Sequence, residues 1–195
     1  AALKHVDTAE IQPSKAISVN ILGSLNIIRL SIKYDVNISI GISTDKACAP
    51  DNVYGQTKYL MERMYQEYDT QNKTRFVNCR FGNVAWSNGS VLPFWTRLQK
   101  ENKILPVTSD KMTRLIFSQD EAAQLIQKCI DLTGVNKGYF ILSKMMKKVN
   151  MLRLAKLISS KTKIVGLRPG EKIDEELISE NEFKFSKLID EDYII

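Results

Sequence analysis

Thr44-Asp45-Lys46 and Tyr54-Gly55-Gln56-Thr57-Lys58 bring two lysines, a tyrosine and an acid within fifteen residues, directly after the apolar run from Ile38 to Ser43. A free tyrosine titrates at about 10, so at neutral pH it is a poor base unless its phenolate is stabilised. Lys58 follows Tyr54 by four residues, one helical turn, and so shares its face. Its ammonium would favour the phenolate electrostatically. A tyrosine tuned in this way can take a hydroxyl proton while a hydride leaves the same carbon. Thr44, at the end of the strand, is placed to hydrogen-bond that hydroxyl. Asp45 and Lys46 add an acid and a base side by side, as dehydration requires: one proton is taken from carbon and one is given to departing hydroxide. A Tyr-x-x-x-Lys pair also arises by chance in helices, where the tyrosine packs and the lysine is solvated. The Thr-Asp-Lys triplet just ahead of it favours the chemical reading.

These residues need a scaffold, and hydrophobic periodicity supplies one. Pro13 opens a helix to about Tyr34, with Ile17, Ile21, Leu22, Leu25, Ile28 and Leu30 on its apolar side. Ile38 to Ser43 reads as a strand, and Asp51-Asn52 as the loop before the helix that bears Tyr54 and Lys58. Strands are expected at Arg75 to Arg80, Tyr139 to Leu142 and Lys163 to Leu167. Helices are expected from about Leu92 to Lys100, Gln119 to Asp131 and Met151 to Ser159. Alternating strands and helices predict an α/β fold with a parallel sheet and right-handed crossovers. After Arg80 the elements shorten and loops lengthen, which suggests a lobe grafted on the sheet. The expected division is 1–83 for the sheet half, and 84–195 for a mixed segment, mainly that lobe, which also returns a helix and strand to the core.

The chain has 195 residues, 44% hydrophobic and 26% charged, enough for one sizeable core. No run reaches the ~18 consecutive apolar residues that span a bilayer, and no signal-peptide pattern opens it. Cys48, Cys79 and Cys129 make an odd count without C-x-x-C, so neither a disulfide framework nor a zinc site is indicated. Buried free thiols in a reducing cytoplasm are the expectation. Cys48 lies close to Lys46, but His5 is the only histidine and no second base accompanies it, so it is not read as a nucleophile. The net charge of +6 is dispersed. Its densest cluster, Lys144 to Lys148, lacks interleaved aromatics and reads as a solvated loop rather than a nucleic-acid surface. A modest positive balance also suits an anionic nucleotide-diphosphate ligand.

The run from Ser43 through Ala47, Pro50, Asn52-Val53-Tyr54-Gly55 and Thr57-Lys58 resembles the extended short-chain dehydrogenase/reductases, and within them the inverting UDP-N-acetylglucosamine 4,6-dehydratases. Ala1 to Val6 is similar to the family's segment after its fourth strand. Arg80-Phe81-Gly82-Asn83-Val84, with Ser90 to Phe94, is similar to its substrate loop. Met112-Thr113-Arg114, Gly166 to Lys172 and Glu175-Glu176-Leu177 are similar to its C-terminal signatures. The resemblance covers nearly the whole chain, in order.

It implies a partial NAD(P)-binding Rossmann-like, doubly wound parallel sheet with a small α/β substrate-binding lobe, and a cytoplasmic dehydratase of polysaccharide biosynthesis using NADP or NAD. It further implies Thr44, Asp45, Lys46, Tyr54 and Lys58 as catalytic residues. Lys4, Tyr54 and Lys58 would meet the cofactor. Lys4, Asn83, Thr108, Arg114, Arg168 and Glu171 would meet a UDP-sugar, with Arg168 as a planar, permanently charged fork for pyrophosphate. Asn20 is expected either to order water near the site or to pack its helix. The resemblance also implies a homo-oligomer and no metal. Tyr54 stands where the long membrane-bound relatives carry methionine, which favours the soluble, inverting type. Asn88 stands where a basic residue is expected, Asp174 where a histidine is usual, and Trp86 is unusual in its loop.

No G-x-G-x-x-G occurs, so the turn that holds a cofactor pyrophosphate in such folds is missing. The expectation is a fragment, a truncated product or one half of a split enzyme, completed by a complementary N-terminal chain. Two alternatives follow: a sugar epimerase or reductase of the same superfamily, which would not need Asp45 and Lys46, and a non-catalytic fragment that binds only UDP-sugar or a partner chain.

Overall fold

The computed structural model describes residues 2–70, 73–189 and 191–195. A short helix α1 (Val6–Ile11) leads into a long helix α2 (Pro13–Lys33), whose middle stretch Ile17–Leu22 is wound as a π-helix. Strand β1 (Ile38–Thr44) and helix α3 (Val53–Asp69) follow, then β2 (Arg75–Phe81) and the two-residue β3 (Asn83–Val84). Next come α4 (Val91–Lys100), β4 (Leu105–Val107), β5 (Thr113–Phe117) and α5 (Gln119–Val135). The remainder comprises β6 (Ile141–Lys144), β7 (Lys147–Asn150), α6 (Met151–Ile158), β8 (Thr162–Ile164), α7 (Glu180–Phe183), β9 (Lys187–Ile189) and β10 (Asp192–Ile194).

The main sheet runs β1-β2-β6-β10-β9, parallel through β1, β2 and β6 and antiparallel at β10 and β9. Strand β2 is buried on both faces, as a central parallel strand must be. Its alternating side chains serve two cores. Val77, Cys79 and Phe81 pack with Leu125 and Cys129 of α5, while Phe76 packs with Ile28, Met61 and Tyr65 from α2 and α3. Helices therefore cover both faces, the doubly wound arrangement expected from the alternation. The carboxyl ends of β1 and β2 open on one side, where ligands of such sheets bind.

A second core lies under the lobe, with Leu92, Trp95, Leu105, Val107, Met112, Met151 and Ala155. Trp95 Nε1 donates to Pro106 O at 2.9 Å, giving the buried indole its partner. The lobe carries its own small sheets, β3-β5-β7 and β4-β8.

Three details correct the sequence expectations. The strand expected at Lys163 to Leu167 is Thr162–Ile164, because Val165 and Gly166 donate to Val107 and Thr108 carbonyls as a loop, and Gly166 takes φ +90°. The strand expected at Tyr139 to Leu142 starts two residues later, where β2 and β10 both pair with it. Strands β9 and β10 were not anticipated. Their short, charge-interrupted sequences show no alternation; pairing of β10 with β6, and of β9 with β10, is what makes them strands.

Among the described residues α2 is the one helix long and apolar enough to cross a membrane by length and composition alone. Here it packs on α3 and buries Ala16, Asn20, Ile28 and Ser31.

Candidate active site

Strand β1 ends at Thr44, and the chain turns at once through a single 3-10 turn, Asp45–Ala47. Thr44 Oγ1 donates to Asp45 Oδ1 at 2.7 Å and accepts from Lys46 N at 3.4 Å, so the triplet is fastened by its first member. Asp45 is 1% exposed. Its Oδ1 also accepts from Lys46 Nζ at 3.0 Å, whereas Oδ2 is buried with no hydrogen-bond partner among the described residues.

Helix α3 sets Tyr54 and Lys58 behind this turn. Asn52 caps it, its Oδ1 accepting from Gly55 N at 2.8 Å, and Glu10 Oε1 accepts from Val53 N at 2.7 Å. The helix comes so close to the turn that a Cβ on Gly55 would strike the Lys46 carbonyl oxygen. Gly55→Ala should therefore push the two apart, costing about 1–3 kcal/mol of stability in a urea titration. A wild-type midpoint would show the contact to be relaxed without cost.

Lys46 and Tyr54 are charged and uncharged by competing causes. Burial disfavours the Lys46 ammonium, but Asp45 and Glu175 outweigh it and hold its pKa above the usual lysine value. Burial likewise pushes the Tyr54 phenol up, against the pull of the Lys46 charge and a hydrogen bond from Thr44. Thr44 Oγ1 is thus shared between Asp45, to which it donates, and Tyr54.

Lys58 does not act as expected in this arrangement. It lies one turn from Tyr54, but its Nζ reaches forward to Met61 Sδ at 3.2 Å, and the charge that favours the Tyr54 phenolate is that of Lys46. Burial lowers the Lys58 pKa to about 8, with Glu62 opposing. A buried amine held by a thioether keeps spare N–H donors, which suits the hydroxyl groups of a cofactor ribose.

In front of the turn lies a cavity of about 620 Å³, lined among others by Lys46 and by all six residues expected at a sugar nucleotide: Lys4, Asn83, Thr108, Arg114, Arg168 and Glu171. Lys4 Nζ donates to Asn88 O at 2.5 Å, so Asn88 meets it through its backbone rather than its side chain. Asn83 Nδ2 donates to Leu115 O at 3.2 Å. Thr108 accepts from Gly166 N through its carbonyl. Arg114 is 9% exposed and donates to Thr113 O and Ile173 O at 2.7 and 3.2 Å. Arg168 and Glu171 pair with each other at 2.6 Å, with Asp7 at 3.6 Å from the same guanidinium. Of the departures noted, Asp174 accepts from Thr113 and pairs with Lys148, while Trp86 sits half-exposed at φ +62°.

Asn20 takes the packing role. Within the π-helical stretch of α2 it donates to Thr57 Oγ1 and Leu3 O at 2.9 and 3.0 Å and accepts from Leu3 N at 2.8 Å. It thereby moors the segment that carries Lys4, a use in keeping with π-helical insertions near sites.

The sequence reading missed one residue. Glu175 is 3% exposed, with Oε1 3.4 Å from Lys46 Nζ and Oε2 buried without a partner among the described residues. Burial raises its pKa, and Asp45 adds to the effect, against Lys46, Arg114 and Lys172. Its acidic pair with Glu176 was visible as a motif, but nothing local pointed to Lys46.

Cys48 is a buried free thiol. Burial pushes its thiol up to about 12, and its Sγ lies 3.8 Å from Glu182 Oε2. The folded chain should resist iodoacetamide at Cys48 at pH 8, as read by mass; alkylation at the rate of a free thiol would contradict this burial.

The chain resembles known proteins over nearly all its length. The model of a family described as polysaccharide biosynthesis protein matches residues 1–195. The chain is 35% identical to UDP-N-acetylglucosamine 4,6-dehydratase (inverting) of Campylobacter jejuni, over 93% of this chain and 55% of that protein. It is 36% identical to UDP-glucose 4-epimerase of Rickettsia bellii, again over 93% of this chain and 55% of the relative. The chain thus spans about half the length of these curated relatives. Among solved structures, Pen from Bacillus thuringiensis superposes with a TM-score of 0.94 at 31% identity, covering 100% of this chain and 64% of that one.

Proposed function

The chain belongs to the polysaccharide biosynthesis protein family, and we propose that it forms the catalytic and sugar-binding part of a nucleotide-sugar 4,6-dehydratase acting on UDP-N-acetylglucosamine. The observation that carries this reading is Lys46 held at 3.0 Å from Asp45 at the edge of a cavity of sugar-nucleotide size, with Tyr54 and Thr44 behind it. A 4-epimerase would have use for Tyr54 but none for a buried acid–base couple beside it.

A nicotinamide cofactor, NADP or NAD, would supply the hydride acceptor at C4 and the hydride donor at C6. Lys4, Tyr54 and Lys58 would hold it. Tyr54, once its own phenolic proton has passed to solvent, takes the proton of the C4 hydroxyl; Lys46 and Thr44 favour that phenolate against the burial that opposes it. The C4 ketone acidifies the C5 proton, which Lys46 takes as the free amine. Asp45 gives its proton to the C6 hydroxyl as it leaves. Amine and carboxylic acid arise together when one proton crosses the 3.0 Å hydrogen bond from Lys46 to Asp45. A proton from water, added to C5 on the opposite face as hydride enters C6, gives the inverted 4-keto-6-deoxy sugar, and Lys46 and Tyr54 exchange their protons with solvent. Arg168, released from Glu171 and Asp7, is the group suited to pyrophosphate. A second copy of the chain is a proposed partner, met by the exposed Ile27 and Leu30 of α2 and Tyr59 and Leu60 of α3.

The relative named as an epimerase favours a second reading, 4-epimerisation. Product mass separates them. Incubation with cofactor and UDP-N-acetylglucosamine should yield a product one water lighter than the substrate. A product of unchanged mass would favour epimerisation, and no reaction would leave a chain that only binds.

A further inference from the structure

We infer that Glu175 is a positioning residue for Lys46: it sits against the ammonium opposite Asp45 and governs whether Lys46 is held charged or released to serve as a base. The mechanistic weight of this rests on the dehydratase reading, but the coupling itself does not.

The geometry is that of one cation between two carboxylates. Lys46 Nζ lies 3.0 Å from Asp45 Oδ1 and 3.4 Å from Glu175 Oε1, and both acids are buried. With both ionised, the trio carries one net negative charge in a largely water-free pocket, and one oxygen of each acid has no hydrogen-bond partner among the described residues. Such an arrangement is costly unless one proton is added. The charged and titratable groups facing Glu175 are Lys46, Asp45, Arg114 and Lys172, and Lys46 also faces Arg114 and Tyr54. Lys46 acts on Glu175 more strongly than Asp45 does, so an ionised Glu175 holds the proton on Lys46.

Glu175 is kept in this place from both sides. Ile173 O accepts from Thr113 N at 3.0 Å and from Arg114 Nη1 at 3.2 Å, and Leu177 O accepts from the buried Arg80 Nη1 at 2.7 Å. The segment has little freedom to withdraw its carboxylate.

With Glu175 ionised, moving a proton from Lys46 to Asp45 loses two attractions to the ammonium. With Glu175 protonated, only the attraction to Asp45 is lost. The N–H bond of Lys46 then breaks as the O–H bond of Asp45 forms, both charges cancel, and the amine faces the cavity. Glu175 needs to touch no substrate to exert this control.

The test follows the Lys46 side-chain nitrogen by NMR in the 195-residue chain, without substrate or cofactor. In Glu175→Gln, the Lys46 pKa should fall by about 1–3 pH units, the effect expected of losing an opposite charge at this range. The rate of water loss, where present, should rise on its neutral plateau, because the proton crosses to Asp45 more readily, and its alkaline fall should move to lower pH by the same amount. An unmoved Lys46 pKa in a folded Glu175→Gln variant would overturn the proposal, as would a uniform loss of rate with an unmoved pH profile. The wild-type chain gives a second reading should the variant not fold: the Lys46 signal should respond as the Glu175 carboxyl titrates, and independent titrations would overturn the coupling. Absence of dehydrated product alongside a shifted Lys46 would instead refute the dehydratase reading and leave the coupling standing.

Discussion

Lys46→Ala should lower the rate of water loss from UDP-N-acetylglucosamine by about 10²- to 10⁴-fold, the usual worth of a placed acid–base group. The variant loses the C5 base, and it also loses the ammonium between Asp45 and Glu175. Two buried carboxylates then face each other without a cation, so both should bind protons more readily. Cofactor and UDP-sugar binding should survive, because Lys58 and the cavity contacts of Arg114, Arg168 and Asn83 are untouched. Oxidation at C4 by Tyr54 should slow less than dehydration, since Thr44 still favours the phenolate while the charge of Lys46 no longer does. The comparison of interest is therefore reduced cofactor against dehydrated sugar in a single turnover. Robust product from Lys46→Ala would remove Lys46 from the mechanism.

Arg80→Met should be the most destabilising single change of comparable volume, by about 3–5 kcal/mol. Arg80 is fully buried on β2. Its Nε and Nη2 meet Glu62 Oε1 and Oε2 at 3.0 and 2.7 Å, and Nη2 also meets Glu182 Oε1 at 2.9 Å. Its Nη1 donates to Leu177 O, so the same side chain fastens the C-terminal segment that presents Glu175. The variant strands the buried Glu62 carboxylate without its cation. Arg80→Lys should not rescue it, because an ammonium cannot make the two-pronged contact. Urea unfolding measures the effect, and Arg80→Met combined with Glu62→Gln should be less destabilised than the two changes summed. Additive losses, or a midpoint near wild type for Arg80→Met, would show that the network contributes little.

These two residues also mark what the sequence could and could not convey. Thr44, Asp45 and Lys46 are adjacent, so strand end, turn and chemistry were all legible from local order. The Tyr54 and Lys58 spacing fixed a shared helical face but not the aim of the lysine, which Met61 and Glu62 decide one turn further on. Arg80 read as part of a loop motif, yet its partners lie on α3 and α7, and only packing brings them together. Glu175 is the clearest case of this kind: its role depends on a contact with Lys46, far away in the sequence, and no periodicity or spacing encodes it. The parallel core was readable because β1 and β2 are apolar and flanked by long helices. Strands β9 and β10 were not, because their neighbours rather than their residues make them strands. Asn20 likewise gave no local hint that it would moor the Lys4 segment from within a π-helical turn.

The central claim is that Lys46 and Asp45 remove water across C5 and C6 of a UDP-sugar. The measurement that bears on it most directly is the mass and isotope content of the product that the protein forms in deuterated water with nicotinamide cofactor. The account predicts loss of one water offset by one mass unit for the deuterium gained at C5, with the C6 hydrogen derived from C4. A product that retains the substrate's mass, or one that lacks deuterium at C5, would contradict it.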